Sequence, residues 1–189
     1  MYPKLTLLSF LILVQAAWAA EYEPEFIRSE ILRAEEAPDS STAIQIDMPI
    51  ESVFDALLTR LAEYTEDVSS IRFDHLGSST TGELGVGSER ITTMTNGDTL
   101  VQRIMVYQPP GEFAYFTDMT LSTVDVPIEY SIGHYRFTEL ADGRVEARVS
   151  VVFEPSSRLT AFLVRIGFNR ALSRDFENAE AYLNSLDSE

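Results

Sequence analysis

The order of the elements that the sequence predicts is its strongest constraint on the fold. One strand-like segment, 41–48, leads directly into an amphipathic helix, and a run of turn-separated strands then covers 71–154. A long helical segment, 157–186, follows the strands. A meander of strands cannot bury its apolar face alone, so this closing helix must cover it. A curved sheet around one helix leaves a gap between the two, and such gaps hold apolar ligands.

The helix after the first strand has a clear amphipathic period. Its apolar residues recur at the three- and four-residue spacing of one helical face. They are Ile50, Val53, Phe54, Leu57, Leu58 and Leu61. Glu51 lies in the first turn, where a negative charge suits the positive end of the helix dipole.

Turn residues divide the strand region into hairpins. Asn96-Gly97 predicts a turn between strands 88–95 and 98–107, because both residues tolerate positive φ. Asp142-Gly143 predicts another turn. Three apolar strand faces alternate with polar residues, which predicts an antiparallel sheet with one solvated side. These faces are Phe113, Tyr115, Met119 and Leu121; Tyr135 and Phe137; and Val145, Ala147, Val149, Val151 and Phe153.

Residues 1–19 have the features of a cleaved signal peptide. Lys4 precedes an apolar run, 5–14, and Ala17-Trp18-Ala19 fits a small-x-small cleavage site. The apolar run is too short to span a bilayer, and no cysteine follows it for lipid attachment. We therefore expect a periplasmic or secreted protein. A chain without cysteine forms no disulfides there, which fits a bacterial periplasm better than a eukaryotic extracellular space.

Between the signal peptide and the domain, residues 20–40 form an acidic segment of ambiguous pattern. Phe26, Ile27, Ile31 and Leu32 could form one helical face after Pro24, or an extra strand that pairs with 41–48. We favour a tail that these apolar residues dock on the domain. The domain itself is predicted over residues 41–187, without internal repeats.

The charge balance excludes some classes of partner. The chain carries a net charge of −16, and its only lysine lies in the signal peptide. The mature chain thus has 13 arginines against 30 acidic residues. Such a surface repels phosphate backbones, so we expect no nucleic-acid binding. It also disfavours electrostatic docking on anionic lipid, and we expect a soluble monomer.

The closing helix contains two apolar stripes that are out of phase. Helical-wheel positions place the first stripe about 140° from the second. The first is Leu159, Phe162, Leu163 and Ile166, and the second is Leu172, Phe176, Ala179, Leu183 and Leu186. Gly167 lies between them and favours a hinge. We expect 157–166 to form a separate lid over the cavity or, alternatively, to pack under the N-terminal tail. An open lid would also expose its apolar residues to a membrane or a delivery partner.

Several motifs in order resemble the START-like, or SRPBCC, superfamily, and in particular its polyketide cyclase/dehydrase-like subgroup. They are Ile46-Asp47-Met48-Pro49-Ile50-Glu51-Ser52-Val53-Phe54-Asp55-Ala56-Leu57, Gly85-Val86-Gly87, Pro109-Pro110, Gly133-x-Tyr135-x-Phe137 and Phe153-Glu154-Pro155. The resemblance implies an α+β helix-grip fold, in which about seven curved antiparallel strands surround a long C-terminal helix and enclose an apolar cavity. Members bind lipids, sterols, polyketides or plant hormones, and a few act on them. The superfamily shares no catalytic signature, so the resemblance identifies no active-site residues in this chain.

Polar and aromatic strand residues are the candidate ligand contacts. Arg90 and Arg103 lie mid-strand, where the solvated face is favoured, although an arginine in the cavity could fix a ligand carboxylate or stabilise an enolate. Buried phenols need hydrogen-bond partners that a ligand can supply. A histidine facing the cavity could act as an acid or base, although a histidine packed in the sheet is the commoner case. The complete candidate set is Arg90, Arg103, Tyr115, Met119, Tyr130, His134, Tyr135, Phe162 and Phe176.

Metal and cofactor chemistry finds little support in the sequence. Without cysteine, and with only His75 and His134, a zinc site has few ligands. The Gly85-Val86-Gly87 turn leads into a strand and lacks the lysine of a phosphate-binding loop. No cofactor is expected, and no EF-hand loop is present, although a carboxylate site for Ca²⁺ stays open.

Three functions remain open at this stage. The first is an exported binding protein for an apolar or amphipathic small molecule that is lipid-, sterol- or polyketide-like. The second is a cyclase, dehydratase or isomerase that acts on such a molecule in the same cavity. The third is an interaction module whose cavity is filled by its own side chains. Binding is favoured because no nucleophile–base pair or metal set is evident.

The signal peptide generates the first testable prediction. We expect export to remove residues 1–19, because the charge, apolar run and Ala-x-Ala order match a cleavage signal. N-terminal sequencing of the exported protein should begin at Ala20. Recovery of soluble, cytoplasmic protein that still starts at Met1 would contradict this expectation.

Overall fold

The computed structural model describes residues 22–159 and 161–186, so the predicted signal peptide lies outside the described residues. The helices are α1 Pro24–Glu36, α2 Ile50–Thr59, α3 Leu61–Tyr64 and α4 Ala161–Leu186. The strands are β1 Ser40–Ile46, β2 Val68–Asp74, β3 Glu89–Met94, β4 Thr99–Gln108, β5 Glu112–Asp118, β6 Ile128–Glu139 and β7 Val145–Pro155. None of the described helices has the length and apolar character needed to cross a membrane.

The seven strands form one antiparallel sheet in the order β1-β7-β6-β5-β4-β3-β2. Strand β1 pairs with β7, so the first and last strands are neighbours at one edge region of the sheet. Helix α4 packs against the inner face of the curved sheet. This arrangement confirms the helix-grip fold that the order of elements predicts.

The inner face of the sheet carries the main hydrophobic core. Phe54 of α2 packs its ring against Phe113 of β5 and Phe137 of β6, at centroid distances of 5.5 and 5.2 Å. The second stripe of α4 contributes Phe176 and Leu183, which are both buried. The alternating residues of β7 complete this core, as their period predicts.

Helix α1 covers the outer face of the sheet, which the polar alternation predicted to be solvated. Pro24 lies at its first turn, where proline suits a helix start. The buried residues of this second core are Ile27 and Ala34 of α1, and Phe116, Tyr130, Ile132 and Val152 of the sheet. The N-terminal segment is therefore a docked helix, and the alternative of an added strand is wrong.

Polar contacts also join α1 to the sheet. The Tyr130 hydroxyl donates to Glu30 at 2.8 Å, and the Arg136 guanidinium lies 2.7 Å from Glu35. Both contacts are on the outer face, next to the second core. The helix is thus held by burial of apolar residues together with hydrogen bonds at its margin.

Helix α4 runs without interruption through Gly167, so the expected separate lid is wrong. The alternative, burial under the N-terminal tail, is also wrong. The side chains of Leu159, Phe162 and Leu163 are 94, 72 and 68 % exposed. The out-of-phase first stripe is therefore a solvent-facing apolar surface on a continuous helix and the turn before it.

The hairpin between β3 and β4 has a different register from that of a two-residue turn. Thr93 pairs with Thr99 and Arg90 pairs with Gln102. Gly97 adopts φ of +92° and its N–H donates to the Met94 carbonyl. The loop therefore contains one residue more than the Asn96-Gly97 turn implies, and this shifts the pairing partners of the whole hairpin.

The second core predicts that α1 is stabilised mainly by Ile27, which is 7 % exposed. Ile27→Ala should lower the free energy of unfolding by about 2–4 kcal/mol and increase amide exchange within α1. Leu32→Ala, on the exposed side of the same helix, is the matched control and should change stability by less than about 0.5 kcal/mol. Equal effects of the two substitutions in urea denaturation would contradict docking of α1 through its buried face.

Candidate functional site

A cavity of about 270 Å³ lies between the sheet, α3, α4 and the loop that joins β5 to β6. Most of its wall is apolar, and the polar groups come mainly from β3, β4, β5 and β6. The lining residues are Leu61, Tyr64, Arg90, Met94, Leu100, Gln102, Tyr115, Thr117, Met119, Val124, Val126, Ile128, Ser131, Tyr135, Val151, Phe168, Ala171, Leu172, Asp175 and Phe176. A mostly apolar wall with a few convergent polar groups is typical of small-molecule sites.

Arg90 is the central polar group of this cavity and is only 2 % exposed. Its Nε and Nη2 donate to the Gln102 side-chain oxygen at 3.0 and 2.7 Å. Its Nη1 donates to the Leu58 carbonyl at 3.1 Å. That carbonyl lies at the C-terminal end of α2, where carbonyls lack helical partners and a cation is favoured.

No carboxylate forms an ion pair with Arg90 among the residues that the structure describes. Its third neighbour is the ring of Tyr115, whose centroid lies 4.8 Å from the guanidinium carbon. An aromatic face attracts a cation, although less strongly than a carboxylate does. The guanidinium is therefore a buried positive charge whose described partners are all neutral.

The position of Tyr115 depends on Gly133, which lies opposite it on β6. A Cβ atom at residue 133 would come within 2.6 Å of the Tyr115 ring. Glycine is thus required here for close approach, and it lets the hydroxyl end of the Tyr115 ring lie directly against β6. The Tyr115 hydroxyl reaches the Tyr135 hydroxyl at 3.5 Å, which joins two phenols at the cavity wall.

Burial raises the pKa of Tyr64 and of Tyr135, and the charge of Arg90 opposes this rise in both. Both phenols therefore stay neutral over the physiological range and can donate a hydrogen bond. Burial also raises the pKa of the Asp175 carboxyl, while Arg174 beside it acts in the opposite direction. The cavity thus combines one cation, neutral phenols and one partly desolvated carboxyl group.

Five of the nine predicted site residues line this cavity: Arg90, Tyr115, Met119, Tyr135 and Phe176. The structure places Arg90 in the cavity wall, so the expectation that it lies on the solvated face of the sheet is wrong. Val149, which belongs to the predicted apolar face of residues 145–153, is fully buried in the core, whereas Val151 of the same face lines the cavity.

The other four predicted residues, Arg103, Tyr130, His134 and Phe162, lie elsewhere. Arg103 is on the outer face, where it pairs with Glu89 at 3.0 Å. Tyr130 and His134 also face outward, because alternate residues of β6 point to opposite sides and Tyr135 points inward. Phe162 lies in the exposed part of α4.

Sequence reasoning missed Tyr64, Gln102 and Asp175. Gln102 had a usable signal, because it alternates with the apolar residues Leu100 and Ile104 on one strand face. Tyr64 and Asp175 had none, because each reaches the cavity only through the placement of a helix.

The buried side chain of His134 takes part in a polar cluster under α1. Its two ring nitrogens lie 3.5 Å from Glu35 and 3.2 Å from Glu112, and the three residues bring potential metal-ligating atoms within 4.8 Å of one another. However, Arg136 already lies 2.7 Å from Glu35 and 3.5 Å from Glu112. A guanidinium thus neutralises these carboxylates, and we assign the cluster to the attachment of α1.

An apolar groove of about 530 Å³ adjoins the cavity and is more open to solvent. It lies between the first half of α4 and the loop that precedes β6. Its lining residues are Val126, Pro127, Leu163, Val164, Gly167, Phe168 and Ala171. Three of them, Val126, Phe168 and Ala171, also line the cavity, so the groove forms its apolar margin.

The close contact between Gly133 and Tyr115 generates a prediction on the site. Gly133→Ala should displace the Tyr115 ring and destabilise the protein by about 1–3 kcal/mol, as overpacking does. In the Gly133→Ala background, Tyr115→Ala should cost less than it does in the wild type, because deleting the ring there also relieves the clash with the new Cβ atom. Additive effects of the two substitutions in thermal unfolding would contradict this contact.

Comparisons with known proteins agree with the helix-grip fold described above. The family described as polyketide cyclase / dehydrase and lipid transport matches residues 37–184. The crystal structure of Ara h 8.0201 is 16 % identical, with a TM-score of 0.60, over 77 % of this chain and 96 % of that one. The protein XoxI from Bacillus cereus is also 16 % identical, with a TM-score of 0.60, over 78 % of this chain and 96 % of that one.

A protein from Mesorhizobium loti is 19 % identical, with a TM-score of 0.55, over 77 % of this chain and 97 % of that one. At these identities the solved structures are evidence for the fold alone. A comparison with curated proteins found no match. The family match extends from just after α1 almost to the end of α4 and covers the whole cavity, and the chain therefore belongs to the polyketide cyclase/dehydrase and lipid transport family of the START-like superfamily.

Proposed function

We propose that this protein is an exported binding protein for an amphipathic small molecule that carries an acidic group. The observation that carries this proposal is Arg90, a buried cation in an apolar cavity with only neutral described partners. The ligand's carboxylate or similar anion pairs with Arg90, and its apolar part fills the rest of the cavity.

The energetic argument starts from the cost of burying a charge. A guanidinium removed from water loses hydration that neutral hydrogen bonds restore only in part. A ligand anion restores it through charge-assisted hydrogen bonds, which are about twice as strong as neutral ones. In a chain with 30 acidic residues, the lack of a carboxylate partner among the described residues favours a partner from outside the chain.

The polar groups around Arg90 would orient such a ligand. The side-chain oxygen of Gln102 accepts hydrogen bonds from two nitrogens of the Arg90 guanidinium. This contact fixes the direction in which the remaining N–H groups of Arg90 point. The neutral phenols of Tyr64 and Tyr135 can donate to a second ligand oxygen. Specificity for an oxygen-bearing head and tolerance of different apolar tails follow from this arrangement.

Cavity size limits the ligand. A volume of about 270 Å³ is at the small end of ligand sites, and the adjoining groove of about 530 Å³ extends it. The arrangement suits a lipid-like or polyketide-like acid whose head lies at Arg90 and whose tail extends along the groove. A rigid sterol-like body would have to lie mostly in the groove.

The family's description supports a small-molecule site and also leaves room for an enzyme. Asp175 is the observation that favours this second function, because its carboxyl lines the cavity and burial raises the pKa of that carboxyl. Arg90 would then stabilise an enolate in a cyclase or dehydratase. Neither histidine lines the described cavity, and we therefore rank binding first.

The test compares decanoate with decanol, which has the same chain without the carboxylate, by isothermal titration calorimetry. Arg90→Leu should weaken decanoate binding about 10- to 100-fold, as the loss of a charge-assisted pair does. Decanol binding should change little. Arg103→Leu, on the outer face, is the matched control and should leave both affinities unchanged.

Two results would contradict the proposal. The first is equal loss of decanoate and decanol binding in Arg90→Leu, which would make Arg90 a purely structural residue. The second is unchanged decanoate binding in that variant. Mass spectrometry of the ligand recovered from the complex separates the two functions, because an enzyme returns a chemically altered molecule and a binding protein does not.

A further inference from the structure

The region around the start of α4 has a charge opposite to that of the rest of the chain. Residues 156–174 contain four arginines and no acidic residue, in a chain whose net charge is −16. Arg165 pairs with Asp39 at 2.6 Å, and Arg174 pairs with Asp67 at 3.4 Å. Arg158 and Arg170 are exposed, and neither forms an ion pair with a residue that the structure describes.

The same region carries exposed apolar side chains. Leu159, Phe162 and Leu163 are 94, 72 and 68 % exposed, and Leu163 also lines the apolar groove. Large apolar side chains clustered with unpaired arginines on an amphipathic segment, here the start of α4 and the turn before it, are typical of segments that lie in a membrane interface. Leu76 is equally exposed but is not part of a cluster of exposed large apolar residues.

We propose that the start of α4 docks on phospholipid bilayers with anionic headgroups. Leu159, Phe162 and Leu163 insert at the boundary between headgroups and acyl chains, while Arg158 and Arg170 contact the headgroups. The negative net charge of the chain, which disfavours docking elsewhere on its surface, orients this end towards the membrane. Across the groove from α4, the exposed and acidic Asp125 lies next to Val126. Its negative charge repels anionic headgroups, so we expect the headgroups on the α4 side of the groove.

Docking in this orientation gives the groove a role. The groove opens beside Leu163 and shares Phe168 and Ala171 with the cavity. An apolar molecule could thus pass between the bilayer and the cavity along an apolar surface, without crossing water. The docking surface itself stands on exposure and charge, independently of what the cavity holds.

The test is sedimentation of the full chain with vesicles of phosphatidylcholine alone and of phosphatidylcholine mixed with phosphatidylglycerol. We expect binding that is stronger on the mixed vesicles and weakens with added salt. Arg158→Gln with Arg170→Gln should lower partition onto mixed vesicles about 10- to 30-fold. Phe162→Ser with Leu163→Ser should lower partition onto both kinds of vesicle by about 10-fold or more.

Matched controls distinguish this surface from general stickiness. Leu76→Ser removes an equally exposed apolar residue, and Arg28→Gln with Arg72→Gln removes two other exposed arginines. Neither control should change partition. All variants keep the same N-terminus, so any contribution of residues 1–21 is common to them. Circular dichroism should show that every variant is folded.

Three outcomes would overturn the proposal. One is equal loss in the controls and in the docking variants. Another is the absence of wild-type binding to both kinds of vesicle. The third is concentration-dependent dimerisation in light scattering that Phe162→Ser with Leu163→Ser abolishes, which would make a second copy the occupant. Arg90→Leu should bind vesicles like the wild type, so failure of the ligand proposal and failure of docking are distinguishable.

Discussion

The burial of the Arg90 guanidinium is the constraint on which the rest of the site depends. Three separate elements surround its charge. Strand β4 supplies Gln102, the end of α2 supplies the Leu58 carbonyl, and β5 supplies the Tyr115 ring. Each of these groups is neutral, so the structure solvates the cation without cancelling its charge. A carboxylate paired with Arg90 would cancel this charge and remove the preference for an anionic ligand.

Helix α1 changes how this sheet is buried. The family match begins at residue 37, so this helix lies outside the part of the chain that defines the family. It covers residues such as Tyr130 and Ile132 that would otherwise face water, and it brings Glu35 next to His134. The sheet is thus packed on both faces. His134 and Tyr130, which the sequence suggested as ligand contacts, instead hold α1 in place.

The two out-of-phase stripes of α4 reflect two different surroundings along one helix. The second half lies on the sheet, where Phe176 and Leu183 are buried in the core. The first half also packs on the sheet through Val164 and through Phe168, which stacks on Phe153 of β7 at 4.6 Å, and Leu163 and Phe168 border the groove. The face that packs on the sheet is thus continuous from Val164 to Leu183, and the first stripe is a second apolar face that is open to solvent. No hinge is needed, and Gly167 is accommodated because nothing packs within 4 Å of its missing side chain.

The sequence by itself determined the order and type of the elements. Alternation and helical period are local properties, and they indicated the helix-grip architecture, the apolar cavity wall and the burial of α4. Alternation could also have separated Tyr130 from Tyr135, because an odd spacing on a strand places two side chains on opposite faces. What only the tertiary structure decided was the register of the hairpin between β3 and β4.

With a two-residue turn at Asn96-Gly97, Arg90 would face Arg103; the longer loop places it opposite Gln102 instead. One residue of register thus decides whether a buried cation meets a neutral amide or a second cation. Turn chemistry alone does not settle that difference, because it depends on packing across the whole sheet. The docking of α1 was undecided for the same reason, since a short apolar pattern can form a helix or a strand until a surface is available to bury it.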